Sequence, residues 1–96
     1  MPNYHRFYIK GGTYFLTIAL QNRKSDLLIR YITELRQAYQ ETLAYYPFKT
    51  IAITILPEHM HWIIRLPEKE GNFSQIIKLF KTRFTQKIPV VFRQSN

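Results

Sequence analysis

His59 and His61 are the two residues whose type and spacing could do chemistry beyond packing. They stand one residue apart in Leu56-Pro57-Glu58-His59-Met60-His61-Trp62-Ile63-Ile64, directly after a turn signal and at the head of an apolar, β-branched run. Side chains alternate between the two faces of a strand, so residues i and i+2 share one face. Both imidazoles therefore aim at one spot. Neutral imidazole is a common ligand for transition metals, and two on one face can hold a divalent ion while leaving positions for water or substrate. The alternative is a pair of half-exposed strand histidines that bind nothing. Spacing alone leaves the two readings level, because His-x-His carries fewer ligands than the metal motifs that are specific by themselves.

The elements that must position this pair can be read on either side of it. Thr13 to Leu20 is made of residues that favour a pleated surface, with Tyr14, Leu16 and Ile18 on one face, which suits a central strand covered on both sides. Gly11-Gly12 marks a turn before it, and Tyr4 to Lys10 mixes aromatic with basic residues. Ser25 or Asp26 can cap a long helix ending near Tyr46, on which Leu28, Ile32, Leu35, Tyr39 and Leu43 recur at helical spacing. Pro47 stops it. Phe48 to Leu56 is then a second strand whose nearly continuous apolar run predicts an interior place in the sheet. A tight turn at Pro57-Glu58 leads into the histidine strand, His59 to Leu66, as an antiparallel hairpin. After a polar loop from Pro67 to Asn72, Ser74 can cap a second helix over Gln75 to Lys87, and Val90-Val91-Phe92 reads as a short last strand. The pattern predicts an α+β sandwich of ferredoxin-like (RRM-like) outline, an antiparallel sheet with two helices on one face. The other sheet face is then free to carry the histidines.

Composition narrows the partner. With 46% hydrophobic residues and 21% charged, the chain is not of disordered type, and residues 1–96 make one domain. No apolar run approaches the ~18 residues of a membrane span and no signal-peptide pattern opens the sequence, which places the protein in the cytoplasm with no membrane partner. The lack of cysteine rules out a disulfide scaffold and thiolate chemistry. Fourteen Lys and Arg against six Asp and Glu give a net charge of +8, a balance that suits a polyanion, nucleic acid before an anionic membrane surface. No acidic residue interrupts the stretch from Phe73 to Asn96, so the basic face of the second helix, with Lys78, Lys81, Arg83 and Lys87, reads as a phosphate contact rather than a merely solvated face.

Three motifs carry a family resemblance. Gly11-Gly12-Thr13-Tyr14-Phe15 after an aromatic-basic start, Leu56-Pro57-Glu58-His59-Met60-His61-Trp62, and Phe73-Ser74 with Leu79-Phe80-Lys81-Thr82-Arg83-Phe84-Thr85 resemble, in order and spacing, the REP-associated tyrosine transposases. These belong to the small single-tyrosine transposases with a His-hydrophobic-His motif. The resemblance implies that His59 and His61 are catalytic metal ligands for Mg²⁺ or Mn²⁺, that single-stranded or hairpin DNA is the partner, and that Arg6, Lys78, Lys81 and Arg83 lie near it. It also implies cleavage and rejoining of single-stranded DNA through a phosphotyrosine, and it leaves room for a homodimer.

In one respect the sequence departs from the family. The nucleophilic tyrosine of the family lies on a helix after the last strand, whereas all seven tyrosines here, Tyr4, Tyr8, Tyr14, Tyr31, Tyr39, Tyr45 and Tyr46, precede His59. The expectation is a transposase-like domain truncated at its C-terminal side, active only when completed. The alternatives are a catalytically inactive remnant that binds single-stranded or hairpin nucleic acid, and an RRM-type RNA-binding module using Tyr14, Phe15 or Trp62 as exposed sheet aromatics.

Overall fold

The computed structural model describes the backbone of residues 3–9 and, with side chains, residues 12–67 and 73–92. Strands β1 (Asn3–Ile9), β2 (Thr13–Ala19), β3 (Lys49–Ile55) and β4 (His59–Arg65) form one antiparallel sheet in the order β1-β2-β4-β3. Helices α1 (Leu27–Arg30) and α2 (Ile32–Tyr45) connect β2 to β3, and α3 (Phe73–Lys87) follows β4. The α+β class and ferredoxin-like outline are as the sequence predicts.

The fourth strand, however, comes from the opposite end of the chain. Val90–Phe92 forms a 3-10 turn, not a strand, and the place beside β2 is taken by Asn3–Ile9. Short range favours this arrangement. The two strands are joined by a few residues, and Gly12 stands at φ +77, a left-handed conformation that glycine adopts without the cost a Cβ imposes. The polar loop expected over Pro67 to Asn72 lies, beyond Pro67, outside the described residues.

β2 is central, as expected, but only one of its faces is fully covered. Leu16, Ile18 and Leu20 are buried under the helices, whereas Phe15, Thr17 and Ala19 on the other face are half-buried. β3 lies at the sheet edge, against the expectation of an interior strand. A bulge between Thr50 and Ala52 leaves Ile51 unpaired with β4 and 45% exposed, and Ile53 is 39% exposed. The apolar run therefore reflects a half-covered edge beside α2 rather than burial on both sides.

The single helix expected from Asp26 to Tyr46 is broken at Tyr31, which has φ −111 and ψ 42. The first turn is docked separately: Leu28 N–H donates to the carbonyl of Pro57 at 3.1 Å, and Leu27 N–H to the Ser25 hydroxyl at 3.1 Å. Asp26 holds the N-cap place of α1 without a side-chain cap bond and pairs with Arg30 one turn on at 3.1 Å, while the Ser25 hydroxyl closes a local turn before it. In α3 the helix already includes Phe73, so Ser74 lies within the first turn instead of capping it.

The core fills the space between the helices and the even-numbered residues of β2 and β4. Met60, Trp62 and Ile64 are fully buried against Leu35 and Ala38 of α2 and Ile76, Ile77, Phe80 and Phe84 of α3. Trp62 is the hub. Its ring lies 5.2 Å from Phe80, 5.6 Å from Phe48 and 5.8 Å from Tyr39. Its Nε1–H donates to Thr50 Oγ1 at 3.0 Å, and the Tyr39 hydroxyl donates to the same oxygen at 2.8 Å. A buried indole needs such an acceptor.

Candidate metal and nucleic-acid site

Alternation along β4 decides what the histidines can do. Because Met60, Trp62 and Ile64 are committed to the core, His59, His61 and Ile63 fall on the open face, where each is half-buried. The turn that delivers them is held from three sides. Leu56 N–H donates across it to the carbonyl of His59 at 2.8 Å, Leu20 N–H to the carbonyl of Glu58 at 2.8 Å, and Leu28 N–H to that of Pro57. The end of β2 and the first turn of α1 thereby fix the start of the histidine strand.

The two imidazole centroids are 5.0 Å apart with their planes at 81°. Each ring is tethered through Nδ1. His59 Nδ1 lies 2.8 Å from both carboxylate oxygens of Glu58, and Arg23 Nε pairs with Glu58 Oε2 at 3.2 Å. His61 Nδ1 lies 3.2 Å from Thr17 Oγ1, its partner in the β2–β4 register. A ring protonated at Nδ1 alone, donating to the carboxylate in His59 and to the hydroxyl in His61, would present its Nε2 lone pair to an ion. An outer carboxylate or hydroxyl that sets tautomer and ring orientation in this way is a usual companion of metal-binding histidines. The pair thus fits two positions of a divalent-ion shell, and among the described residues no third His, Cys, Asp or Glu joins it.

Glu58 and Thr17 contact the histidine pair and were not singled out by sequence reasoning. Glu58 reads as a turn residue, although an acidic side chain immediately before the first histidine was a usable signal. Thr17 could have been found only from the strand register. Phe15, also on this face, lies 5.7 Å from the His61 ring. Of the three aromatics an RRM-type platform could use, it alone remains, since Trp62 is in the core and Tyr14 rests against Phe73 at 4.9 Å.

The basic residues expected near DNA are not gathered at the histidines. Lys78, Lys81 and Arg83 are on α3, whose Phe80 packs on Trp62, so they belong to the layer across the sheet. Lys78 is exposed and Lys81 half-buried. Arg83 Nε is 3.7 Å from Glu41 of α2, and Lys87 donates to the same carboxylate at 2.6 Å. Arg6 is opposite Leu16 in the register, its side chain outside the described residues. On the histidine face itself, Arg65 ends β4, exposed, with Nε–H donating to Thr13 Oγ1 at 3.1 Å, and exposed Lys49 pairs beside it.

The tyrosines with described side chains keep away from that face. Tyr39 is bound to Thr50 beside Trp62, Tyr31 lies 5.9 Å from Phe92, Tyr14 packs on Phe73, and Tyr45 and Tyr46 meet at the end of α2. No helix among the described residues is long and apolar enough to cross a membrane.

Comparison with known proteins gives the geometry its context. No family model matches the chain. A protein of Haemophilus influenzae named as a REP-associated tyrosine transposase is 48% identical over all 96 residues, which cover 54% of its own length. The REP-associated tyrosine transposase of Escherichia coli K12 is 45% identical over 85 residues, 88% of this chain and 52% of that protein. The fold matches a solved REP-associated tyrosine transposase bound to a REP hairpin, with a TM-score of 0.78 and 44% identity, over 90% of this chain and 52% of that one. The chain spans about half the length of the relatives it matches. By sequence along its whole length and by fold, it is similar to the REP-associated tyrosine transposases.

Proposed function

We propose that this chain binds hairpin or single-stranded DNA in the cytoplasm and is the metal-holding part of a transposase that cleaves and rejoins a single strand through a phosphotyrosine. The observation that carries this reading is the histidine pair on the open face, each ring tethered through Nδ1. Bound Mg²⁺ or Mn²⁺ supplies Lewis-acid stabilisation of charge on phosphoryl oxygens. His59 and His61 are the residues that hold it; Glu58 and Thr17 orient them. The solved relative bound to a REP hairpin and the charge of +8 support DNA as the partner. A homodimer belongs to the same reading, supported by the exposed edge strand β3 with Ile51 and Ile53.

The second reading, a DNA-binding domain without strand-cleaving activity of its own, is favoured by one observation. No tyrosine with a described side chain shares the histidine face. Calorimetry with Mn²⁺ and fluorescence anisotropy with a hairpin oligonucleotide test the first reading against both this one and simple strand histidines. Heat of Mn²⁺ binding in wild type, lost in His59→Ala/His61→Ala while hairpin binding persists, supports the metal assignment. Equal heats in the two proteins exclude it.

A further inference from the structure

We propose that Phe15 is the base-stacking platform of a single-stranded DNA track running along the open sheet face from His61 to Arg65. This rests on the DNA-binding reading above and deepens it.

The face is uncovered by any described helix, because α2 and α3 share the other side with Trp62. Along β4 it presents His61, Ile63 and Arg65 in succession; along β2, their register partners Thr17, Phe15 and Thr13. Phe15 and Ile63 are therefore directly paired, both half-buried, and form an apolar bed between two polar ends. At one end the Phe15 ring lies 5.7 Å from the His61 imidazole. At the other, Arg65 is exposed, with its guanidinium anchored by Thr13 and Lys49 beside it. Four residue steps along the strand separate His61 from Arg65, roughly 13 Å.

A ligand that fits must offer negative charge at the Arg65 end, a polar group at the histidine end and a flat apolar face between them. Single-stranded DNA does so, with phosphates flanking an unstacked base. A duplex does not, because its bases are stacked inward, and an acidic peptide offers the charge without the obligatory ring. Stacking on a sheet-borne aromatic tolerates any base, since each has a π-face. With a base held on Phe15, the neighbouring phosphate lies beside the histidine pair, so the platform also sets which phosphodiester the pair meets.

The test uses the 96-residue chain and hairpin oligonucleotides bearing a single-stranded tail, with 2-aminopurine at successive tail positions. Wild type is expected to quench the probe strongly at one position. Phe15→Leu should abolish that quench and weaken binding about 5- to 150-fold, the range for loss of one base–aromatic stack. Phe15→Trp should restore both. Arg65→Gln should keep the quench and lower the salt slope by about 0.7. Unchanged affinity and quench in Phe15→Leu would overturn the inference while leaving DNA binding in place, whereas failure of wild type to bind any tail or hairpin would overturn the DNA reading itself. If Phe15→Leu folds poorly, Ile63→Trp reads the same bed. Its added fluorescence, measured against the wild-type background of Trp62, should be quenched by unlabelled tail; if it is not, the track is wrong.

Discussion

His61 and Trp62 are consecutive in the chain and serve opposite faces of one strand. The indole is wholly buried among Tyr39, Phe48 and Phe80, and the imidazole stands half-open beside Phe15 and Thr17. Because the side-chain period of a strand is two, a slip of one residue would exchange them. Burial of Trp62 and of its neighbours Met60 and Ile64 is thus what locks the histidines outward.

The hub around Trp62 should accordingly be costly to disturb. Trp62→Ala is expected to lose about 3–5 kcal/mol. Thr50→Val removes the shared acceptor of Trp62 and Tyr39 and should cost about 1–3 kcal/mol for each stranded donor. Thermal unfolding followed by circular dichroism measures both, at about 4–8 °C per kcal/mol for a domain of this size. A Thr50→Val protein as stable as wild type would show that the two donors find water instead.

Glu58 should matter to metal affinity although it is no ligand in this scheme. Glu58→Ala frees the His59 ring to rotate and leaves Arg23 without its carboxylate. Outer partners of this kind typically alter affinity about 10- to 100-fold. Mn²⁺ calorimetry should show a weaker but still measurable site in Glu58→Ala, against none in His59→Ala/His61→Ala. Undiminished affinity would mean that the 2.8 Å contact does not orient the ring in solution.

Much of this arrangement was legible in sequence, and the failures have physical causes. The His-x-His spacing, the Pro57-Glu58 turn and the stripe of α3 follow from local periodicity, so the core face of β4 and the exposed site could be read directly. The edge position of β3 could not. An apolar run such as Ile51-Ala52-Ile53 looks the same whether it is buried on both faces or bulged at an edge. The strand Asn3–Ile9 was hidden because aromatic and basic residues mask its alternation, and Val90-Val91-Phe92 shows β-branched composition without a partner strand to use it. Thr17 and Phe15 become site residues only through cross-strand register, which no single-sequence period encodes.

Salt dependence will show which side of the sheet carries the phosphates. Single-stranded binding weakens by about 0.7 log units in K per phosphate neutralised per log unit of salt, so four contacts give a slope of roughly −3. If α3 contributes, Lys78→Glu/Lys81→Glu/Arg83→Glu should flatten the slope by up to about 2. The Glu41 pairing of Arg83 already matches part of that charge and lowers its share. Anisotropy titrations between low and moderate salt read the slope directly. An unaltered slope would assign the contacts to the histidine face, where Arg65 and Lys49 lie.

The described tyrosines should not form a covalent adduct with DNA. A phenolic oxygen must come in line with the scissile bond and within about 3–3.5 Å of phosphorus. Tyr39 cannot do so without leaving Thr50 and the Trp62 cluster, nor Tyr14 without leaving Phe73, and both contacts belong to the layer across the sheet from the histidines. Tyr31, packed against Phe92, and the Tyr45–Tyr46 pair at the end of α2 belong to the same layer. Incubation of the chain with hairpin-bearing single-stranded DNA and Mn²⁺, then a denaturing gel and peptide mapping by mass spectrometry, should find no phosphotyrosine at Tyr14, Tyr31, Tyr39, Tyr45 or Tyr46. An adduct at Tyr14 or Tyr39, removed by its change to phenylalanine, would require that strand or helix to leave the core during the reaction. The sheet would then be a far more mobile platform than its packing around Trp62 implies.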